Sequence, residues 1–338
     1  MKIQNNISLK PFNTFGIDVS AKYFCEITSV DELKELLSFE IALVEKKLVL
    51  GGGSNILFTK NFDGLIIKNN ITGIAVSEEN DEELVVRSSS GEVWHKLVLW
   101  SIEKNLGGIE NLSLIPGCVG AAPIQNIGAY GVEIKNVFES LDAMYIQTGE
   151  LRKFYFDDCK FGYRDSVFKN DLKGQYIITS VNLRLNKHPV YNTSYGAIET
   201  ELGKSGIKEL SVKVISDAVI RIRQSKLPDP SVIGNAGSFF KNPEVTREDY
   251  LLLKSNYEKI ASYDLPNGNV KLAAGWLIEQ CGWKGKVVGN TGSHKDQALV
   301  LVNYGKALGI EIFNLASEIQ QSVKEKFGVE IEKEVNVV

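Results

Sequence analysis

Residues 115–131 read IPGCVGAAPIQNIGAYG, and residues 47–55 read KLVLGGGSN. The longer stretch has four glycines, two prolines and no charged side chain, so bare backbone can lie against a large flat or anionic ligand. It ends a run from 107 to 131 with little helical or strand periodicity, and an irregular connection of that length inside a compact domain is usually functional. In the shorter stretch an apolar strand enters three consecutive glycines, whose N–H groups can cradle a diphosphate. The common nucleotide fingerprints do not fit it. A Rossmann turn needs GxGxxG opening a helix, whereas Gly51, Gly52 and Gly53 are followed by Ser54, Asn55 and an apolar Ile56-Leu57-Phe58, and no GxxxxGK[ST] occurs. Taken alone, GGGSN also reads as a tight turn whose Ser54 and Asn55 satisfy local backbone. Two glycine-rich loops in one sheet-rich half point instead to a single large cofactor.

The remaining composition narrows the class. A chain of 338 residues has room for two or three domains and a sizeable core. Hydrophobic residues at 43% and charged residues at 24% are globular values, which exclude a disordered or fibrous chain. A net charge of −4 gives no general attraction to nucleic acid or anionic lipid, so any basic site is local. Cys25, Cys118, Cys159 and Cys281 show no CxxC spacing, and His95, His188 and His294 lie far apart. The sequence therefore encodes neither a zinc site nor a disulfide framework, and a reducing compartment is the simplest reading. The start MKIQNNISLKPF lacks an apolar signal core, and no run of about 18 apolar residues occurs, so a cytoplasmic, non-spanning chain is expected.

Helices and strands alternate in an α+β pattern. Helical spacing predicts helices over 31–46, 92–105, 211–225, 270–283 and 308–327; apolar runs and alternation predict strands over 47–50, 65–68, 84–89, 137–148, 151–156, 175–185 and 297–303. The helix at 211–225 stops at Leu227-Pro228-Asp229-Pro230, where two prolines prevent continuation and a domain boundary is expected. GNAGSFFKNP at 234–243 reads as a loop, and the alternating tail VEIEKEVNVV as a strand that joins a sheet.

Seven motifs in order carry a resemblance: NTFGID at 13–18, GGGSN at 51–55, IPGCVGAAPIQNIGAYG at 115–131, FGYRDS at 161–166, KLPDP at 226–230, GNAGSFFKNP at 234–243 and KLAAGWLIEQCGWKG at 271–285. Together they resemble the UDP-N-acetylenolpyruvoylglucosamine reductase family over nearly the whole chain. The resemblance implies a two-lobed FAD-binding domain of the vanillyl-alcohol-oxidase (PCMH) type, with lobes at 1–70 and 71–215, and a C-terminal α+β substrate domain at 216–327. The tail 328–338 is expected to pack back on the first lobe. The implied activity is that of an oxidoreductase acting on a CH–CH bond with non-covalent FAD and NADPH as reductant. It would reduce UDP-N-acetylglucosamine enolpyruvate to UDP-N-acetylmuramate in peptidoglycan precursor synthesis, as a monomer, with no metal, nucleic-acid or membrane partner.

By the same resemblance Ser238 is the proton donor, and Arg164 and Glu334 complete the catalytic set. A serine hydroxyl is a weak acid, but a carbanion-like intermediate is a base strong enough to take its proton. The Arg164 fork suits the substrate carboxylate, and Glu334 makes sense beside that anion if it is protonated and donates a hydrogen bond. The implied cofactor contacts are Gly51, Gly52, Gly53, Ser54 and Asn55 in the first loop, and Pro116, Gly117, Gly120, Ala121, Ala122, Asn126, Gly128, Ala129, Tyr130 and Gly131 in the second, with Arg223. The implied substrate contacts are Tyr163, Tyr195, Lys226 and Asn242, with Tyr195 marking a longer subtype whose tyrosine-bearing loop folds over the nucleotide. Several relatives carry an arginine two residues after the catalytic glutamate; this chain has Asn336 there. Cys118 reads as a small space-filler. With no second nucleotide fingerprint, NADPH and the UDP substrate are expected to take turns at one flavin face. Two other readings stay open. One is a flavin-dependent alcohol or sugar oxidase on the same scaffold, which often tethers flavin through a histidine that neither glycine loop contains. The other is a non-catalytic nucleotide-sugar binding protein.

Overall fold

Apolar runs at 138–145 and 176–186 place two strands in the interior of a five-stranded antiparallel sheet. Its order is Leu151–Tyr155, Phe138–Tyr145, Tyr176–Asn186, Glu83–Ser89, Ile74–Glu79, with Leu141 opposite both Phe154 and Val181. The computed structural model in which this is seen describes residues 1–205 and 209–338. They fall into two compact units, one of Met1–Ile7, Ala21–Gly52 and Asp63–Ser225, the other of Ser8–Ser20, Gly53–Phe62 and Lys226–Val338. The residues expected as two lobes lie mostly in the first unit, while 8–20 and 53–62 belong with the C-terminal part.

In the first unit the helix Trp94–Glu103 lays Trp94, Leu97 and Val98 on the core of the five-stranded sheet. Trp94 Nε1 donates to Leu112 O at 3.0 Å, which pins the irregular run at 107–131 to that helix. A four-stranded sheet runs Ile3–Ser8, Ser20–Ile27, Phe62–Asn69, Lys47–Leu50, and its last two strands are parallel, with Leu48 opposite Ile66. The helix Val30–Leu37, N-capped by Ser29, buries Leu33 and Leu36 in the core that contains Ile27, Leu65 and Ile67. The single helix expected over 31–46 is broken. Ser38 Oγ bonds Glu35 O at 2.7 Å, which competes with the helical ladder, and a short second helix follows at Glu40–Val44.

The second unit is built around one amphipathic helix, Gly309–Phe327, whose Ile312, Leu315, Ile319 and Val323 are buried and which stops at Gly328 in a left-handed cap. They share a core with Leu277 and Ile278 of the helix Ala274–Gln280 and with Phe239 and Phe240. Two small sheets complete it: Gly234–Ser238, Val300–Asn303, Thr291–Ser293, Val287–Val288, and Glu244–Val245, Val270–Leu272, Ser262–Asp264. Three expectations differ here. The loop at 234–243 begins as a strand, because Gly234 and Asn235 pair with Asn303 and Val302. The helix expected from 270 starts at Ala274, since Val270–Leu272 is taken by strands on both sides. Only Asn336–Val337 of the tail is strand, pairing in parallel with Ile56–Leu57, while Lys333 makes one isolated bridge to Phe240. The helices Gly196–Ser205 and Arg247–Asn256 were not anticipated. Among the described residues no helix is long and apolar enough to cross a membrane.

Ile319→Ala, at a fully buried position of the long helix, is expected to cost about 2–5 kcal/mol. A lower denaturant midpoint with an unchanged slope checks it.

Candidate active site

In the first unit the two glycine stretches touch. A Cβ on Gly52 would stand 2.9 Å from Gly117 Cα, so only glycine allows the crossing. Beside it, the Cys118 thiol takes a hydrogen bond from the Gly52 backbone and is pushed up by burial, so it stays protonated and fills space. The rest of the loop hangs from its neighbours: Trp94 N–H donates to Gly117 O (3.0 Å), Val119 N–H to Glu92 O (2.9 Å) and Gly120 N–H to Ser90 O (2.8 Å). Of the implied cofactor contacts, Ala122 and Asn126 are buried in protein, whereas Gly52, Pro116, Ala121 and Gly131 are exposed and the others in this unit are half-buried or nearly so. Asn126 donates to Gly162 O (2.9 Å) and accepts from Lys135 N–H (3.2 Å), which braces the loop from inside. Leu114, Asn126, Tyr130 and Arg164 all have positive φ, a strained state that persists only where surroundings enforce it. For Leu114 the enforcer is His95, whose Nδ1 accepts the Leu114 N–H at 3.0 Å.

Cations gather around Tyr130. Arg223, near the end of the helix Val212–Lys226, hydrogen-bonds the Tyr130 hydroxyl, and its buried Nε has no hydrogen-bond partner. Burial, and further the charge of Arg164, pull its pKa below the usual arginine value. Arg164 Nη2 donates to Gly128 O at 2.5 Å, and its guanidinium lies 5.5 Å from the Tyr163 ring centroid. The FGYRDS turn is strapped to the second glycine loop by Ser166 Oγ, which donates to Ile124 O at 2.6 Å. Tyr195 stands edge-on to Tyr130, centroids 5.4 Å apart. Its loop is tied down by Asn111, whose Nδ2 donates to Tyr130 O and Asn192 O. Arg164, Arg223, Tyr163 and Tyr195 are thus brought to one loop.

In the second unit Ser238 closes the strand Gly234–Ser238 opposite Val300, half-buried ahead of the core residues Phe239 and Phe240. Asn235 positions it: Oδ1 accepts Gly237 N–H (2.9 Å), and Nδ2 donates to Ile233 O (2.8 Å) and Pro228 O (3.2 Å), joining KLPDP to the strand. Glu334, also half-buried, donates its N–H to Phe239 O at 2.8 Å, so the proposed acid and proton donor sit on adjoining backbone. Lys226 is exposed at its helix end, and Asn242 Oδ1 caps the helix Ala274–Gln280 through Ala274 N–H at 3.0 Å. Gly53, Ser54 and Asn55 belong to this unit. NTFGID, which the sequence left without a role, is its junction: Thr14 N–H donates to Gly53 O (3.0 Å), Asn235 N–H to Thr14 O (3.0 Å) and Asn303 Nδ2 to Phe15 O (2.8 Å).

Residues 229–338 match the family model for the UDP-N-acetylenolpyruvoylglucosamine reductase C-terminal domain, and residues 21–155 match an FAD binding domain. The chain is 52% identical to the UDP-N-acetylenolpyruvoylglucosamine reductase of Flavobacterium johnsoniae and 53% identical to that of Amoebophilus asiaticus, covering 100% of each chain. The chain belongs to the UDP-N-acetylenolpyruvoylglucosamine reductase family. The crystal structure of the Thermus caldophilus member of this family has the same fold, with a TM-score of 0.69 at 22% identity over 100% of this chain and 99% of that one.

The residues fit the cofactor that the reductase family's FAD binding domain implies. Arg223 is the telling observation: its buried Nε has no hydrogen-bond partner and a second arginine lies close enough to lower its pKa, so an acceptor or anion that meets this guanidinium offsets a desolvation cost. Sequence reasoning missed Asn111, Asn235 and His95. Their partners are mostly backbone atoms, and no local pattern marks them.

Gly52→Ala is expected to force the loops apart and weaken FAD retention about 5- to 30-fold, on the scale of about 1–2 kcal/mol for a forced backbone shift, read as flavin lost on gel filtration. A pH effect follows from His95, which burial, and then Arg223, hold below the usual value of 6.5. As pH falls below about 6.5 the unfolded state takes up the proton first, so stability declines. His294, lowered by burial, adds to the same decline. His95→Gln should lose less stability than the wild type between about pH 7.5 and 5.5 in denaturant titrations; an equal loss would acquit His95.

Proposed function

We propose that this chain is an NADPH-dependent flavoenzyme that reduces UDP-N-acetylglucosamine enolpyruvate to UDP-N-acetylmuramate for peptidoglycan synthesis. Full-length identity of 52–53% to reductases of that name supports the activity, and the observation that carries the site is the Arg223–Tyr130–Arg164 grouping. FAD, when bound, supplies hydride chemistry between NADPH and the enolpyruvyl double bond. The glycine loops and Arg223 hold it.

Arg164 binds the substrate carboxylate and stabilises the enolate that forms as the double-bond electrons move onto it. Ser238 Oγ gives its proton to the carbon next to the carboxylate, and the alkoxide regains one from solvent. Glu334, in its protonated form, donates a hydrogen bond to the same developing anion. Lys226 neutralises the diphosphate, and Tyr163, Tyr195 and Asn242 line the nucleotide sugar; Asn242 has its Nδ2 available for this while Oδ1 caps a helix. On this reading the enzyme is a cytoplasmic monomer with no nucleic-acid or membrane partner.

The purified protein is expected to be yellow, to bleach with NADPH and to regain colour on adding the enolpyruvyl substrate. Colour restored by oxygen and simple alcohols instead would indicate an oxidase, and a colourless protein a binding module. Ser238→Ala should leave bleaching by NADPH nearly intact while slowing reoxidation by substrate at least about 100-fold. Equal damage to both half-reactions would remove Ser238 from the proton-donor role.

A further inference from the structure

Glu334 is the point at which the tail changes partners within the second unit. Upstream the tail bonds the segment after Ser238: Lys241 N–H donates to Glu332 O (2.9 Å) and Glu334 N–H to Phe239 O (2.8 Å). Downstream it bonds GGGSN and the strand that follows. Asn336 donates to Asn55 O twice, through its backbone N–H (3.2 Å) and its side-chain Nδ2 (3.0 Å), and Val338 N–H donates to Leu57 O (2.9 Å). Asn55 answers with its own Nδ2, which reaches Glu334 O at 3.4 Å, the longest and weakest of these bonds. Glu334 itself lies outside the two-residue strand Asn336–Val337. Buried Ile331 and Val335 set the depth of the tail, but apolar burial has no direction. Its rotation is set by directional bonds, those of Glu334 to Phe239 and Asn55 together with Gln320 Nε2, which donates to Ile331 O at 2.6 Å.

We propose that Asn336 is a positioning residue for Glu334. Its two donors converge on one carbonyl and fix where the tail turns, and with Asn55 it forms a clamp that holds the backbone of Glu334 to the first glycine loop. The placement of the acid is thereby tied to the loop read above as part of the cofactor cradle. A neutral amide makes this tie without placing a charge two residues from Glu334. The catalytic consequence rests on the role proposed for Glu334; the clamp itself does not.

Asn336 is exposed, so its variants should fold. Asn336→Leu keeps the bulk and removes the Nδ2 donor without adding a charge, and Asn336→Ala removes the side chain. In either holoenzyme the Glu334 amide is expected to exchange with deuterium about tenfold faster, the scale of one lost hydrogen bond, with amides of the helix Gly309–Phe327 unchanged. Reoxidation of the reduced flavin by the enolpyruvyl substrate should slow about tenfold with KM held, while bleaching by NADPH stays within about twofold. Unchanged exchange at Glu334 in both variants overturns the clamp. Faster exchange with both half-reactions slowed alike also overturns it, since Asn336 would then be general support. If NADPH fails to bleach the wild-type protein, the proposed function falls, and the exchange measurement still decides the clamp.

Discussion

Buried backbone away from a helix or sheet has to find a partner for every N–H and C=O, and in this chain buried asparagine amides repeatedly supply the partners that neighbouring backbone does not. The glycine loops are irregular because bare backbone has to face a ligand, so they cannot close ladders with one another. Asn111 and Asn126 in the first unit, and Asn13, Asn235 and Asn303 in the second, are buried and bond backbone at a distance. Asn13 alone accepts Ile17 N–H (2.9 Å) and donates to Leu9 O (2.7 Å) and Ile17 O (3.0 Å), which shapes the turn from which Thr14 reaches Gly53. An amide serves here because it offers both donors and acceptors without a charge to desolvate. Each replacement by an apolar residue would strand two or three backbone groups at once.

The electrostatics follow the same economy of placement. A chain with a net charge of −4 attracts no anion as a whole, yet the first unit holds Arg223 and Arg164 close enough for one to lower the pKa of the other. Tyr130 offsets part of this through its hydroxyl, whose own pKa burial raises and Arg223 in turn lowers. An acceptor that meets the unpartnered Nε offsets the cost of holding two guanidinium groups close together. Ligand binding to such a site stabilises the folded state by mass action, so the unit that carries the cations should gain most from its cofactor.

Periodicity made the larger elements legible. Gly309–Phe327 repeats its apolar positions over five turns, and Phe138–Tyr145 and Tyr176–Asn186 are rich in apolar residues, so the helix and the sheet centre were readable from residues alone, although consecutive buried positions and a register shift at Asp142/Ala143 break the alternation. At 31–46 and 270–283 the apolar spacing was equally helical, but Ser38, bonding the carbonyl of Glu35, ended one helix and a place between two strands captured the start of the other. Strands of two or three residues carry no period to detect. The site divides the same way. Glycine clustering flagged the loops by composition, whereas Arg164, Ser238 and Glu334 are ordinary residue types in unremarkable local sequence, and only seven motifs in order singled them out. His95 and Asn235 could not be found even so, because what they do depends on carbonyls and N–H groups that the fold alone brings to them.

The tail shows why a correct pattern can still mislead. VEIEKEVNVV alternates as a strand does, yet only Asn336–Val337 is paired as one. Alternation here serves burial: Val329, Ile331 and Val335 are buried in the core of the second unit, while Glu330 and Glu332 are exposed and Lys333 and Glu334 half-buried. A longer ladder would have fixed every residue by its neighbours' register and committed both backbone groups of Glu334 to one strand partner. Passing from the isolated bridge at Lys333 to the parallel pairing that starts at Asn336 leaves Glu334 to bond Phe239 on one side and Asn55 on the other. An interrupted strand is therefore the form the tail must take if one residue in it is to answer to two loops.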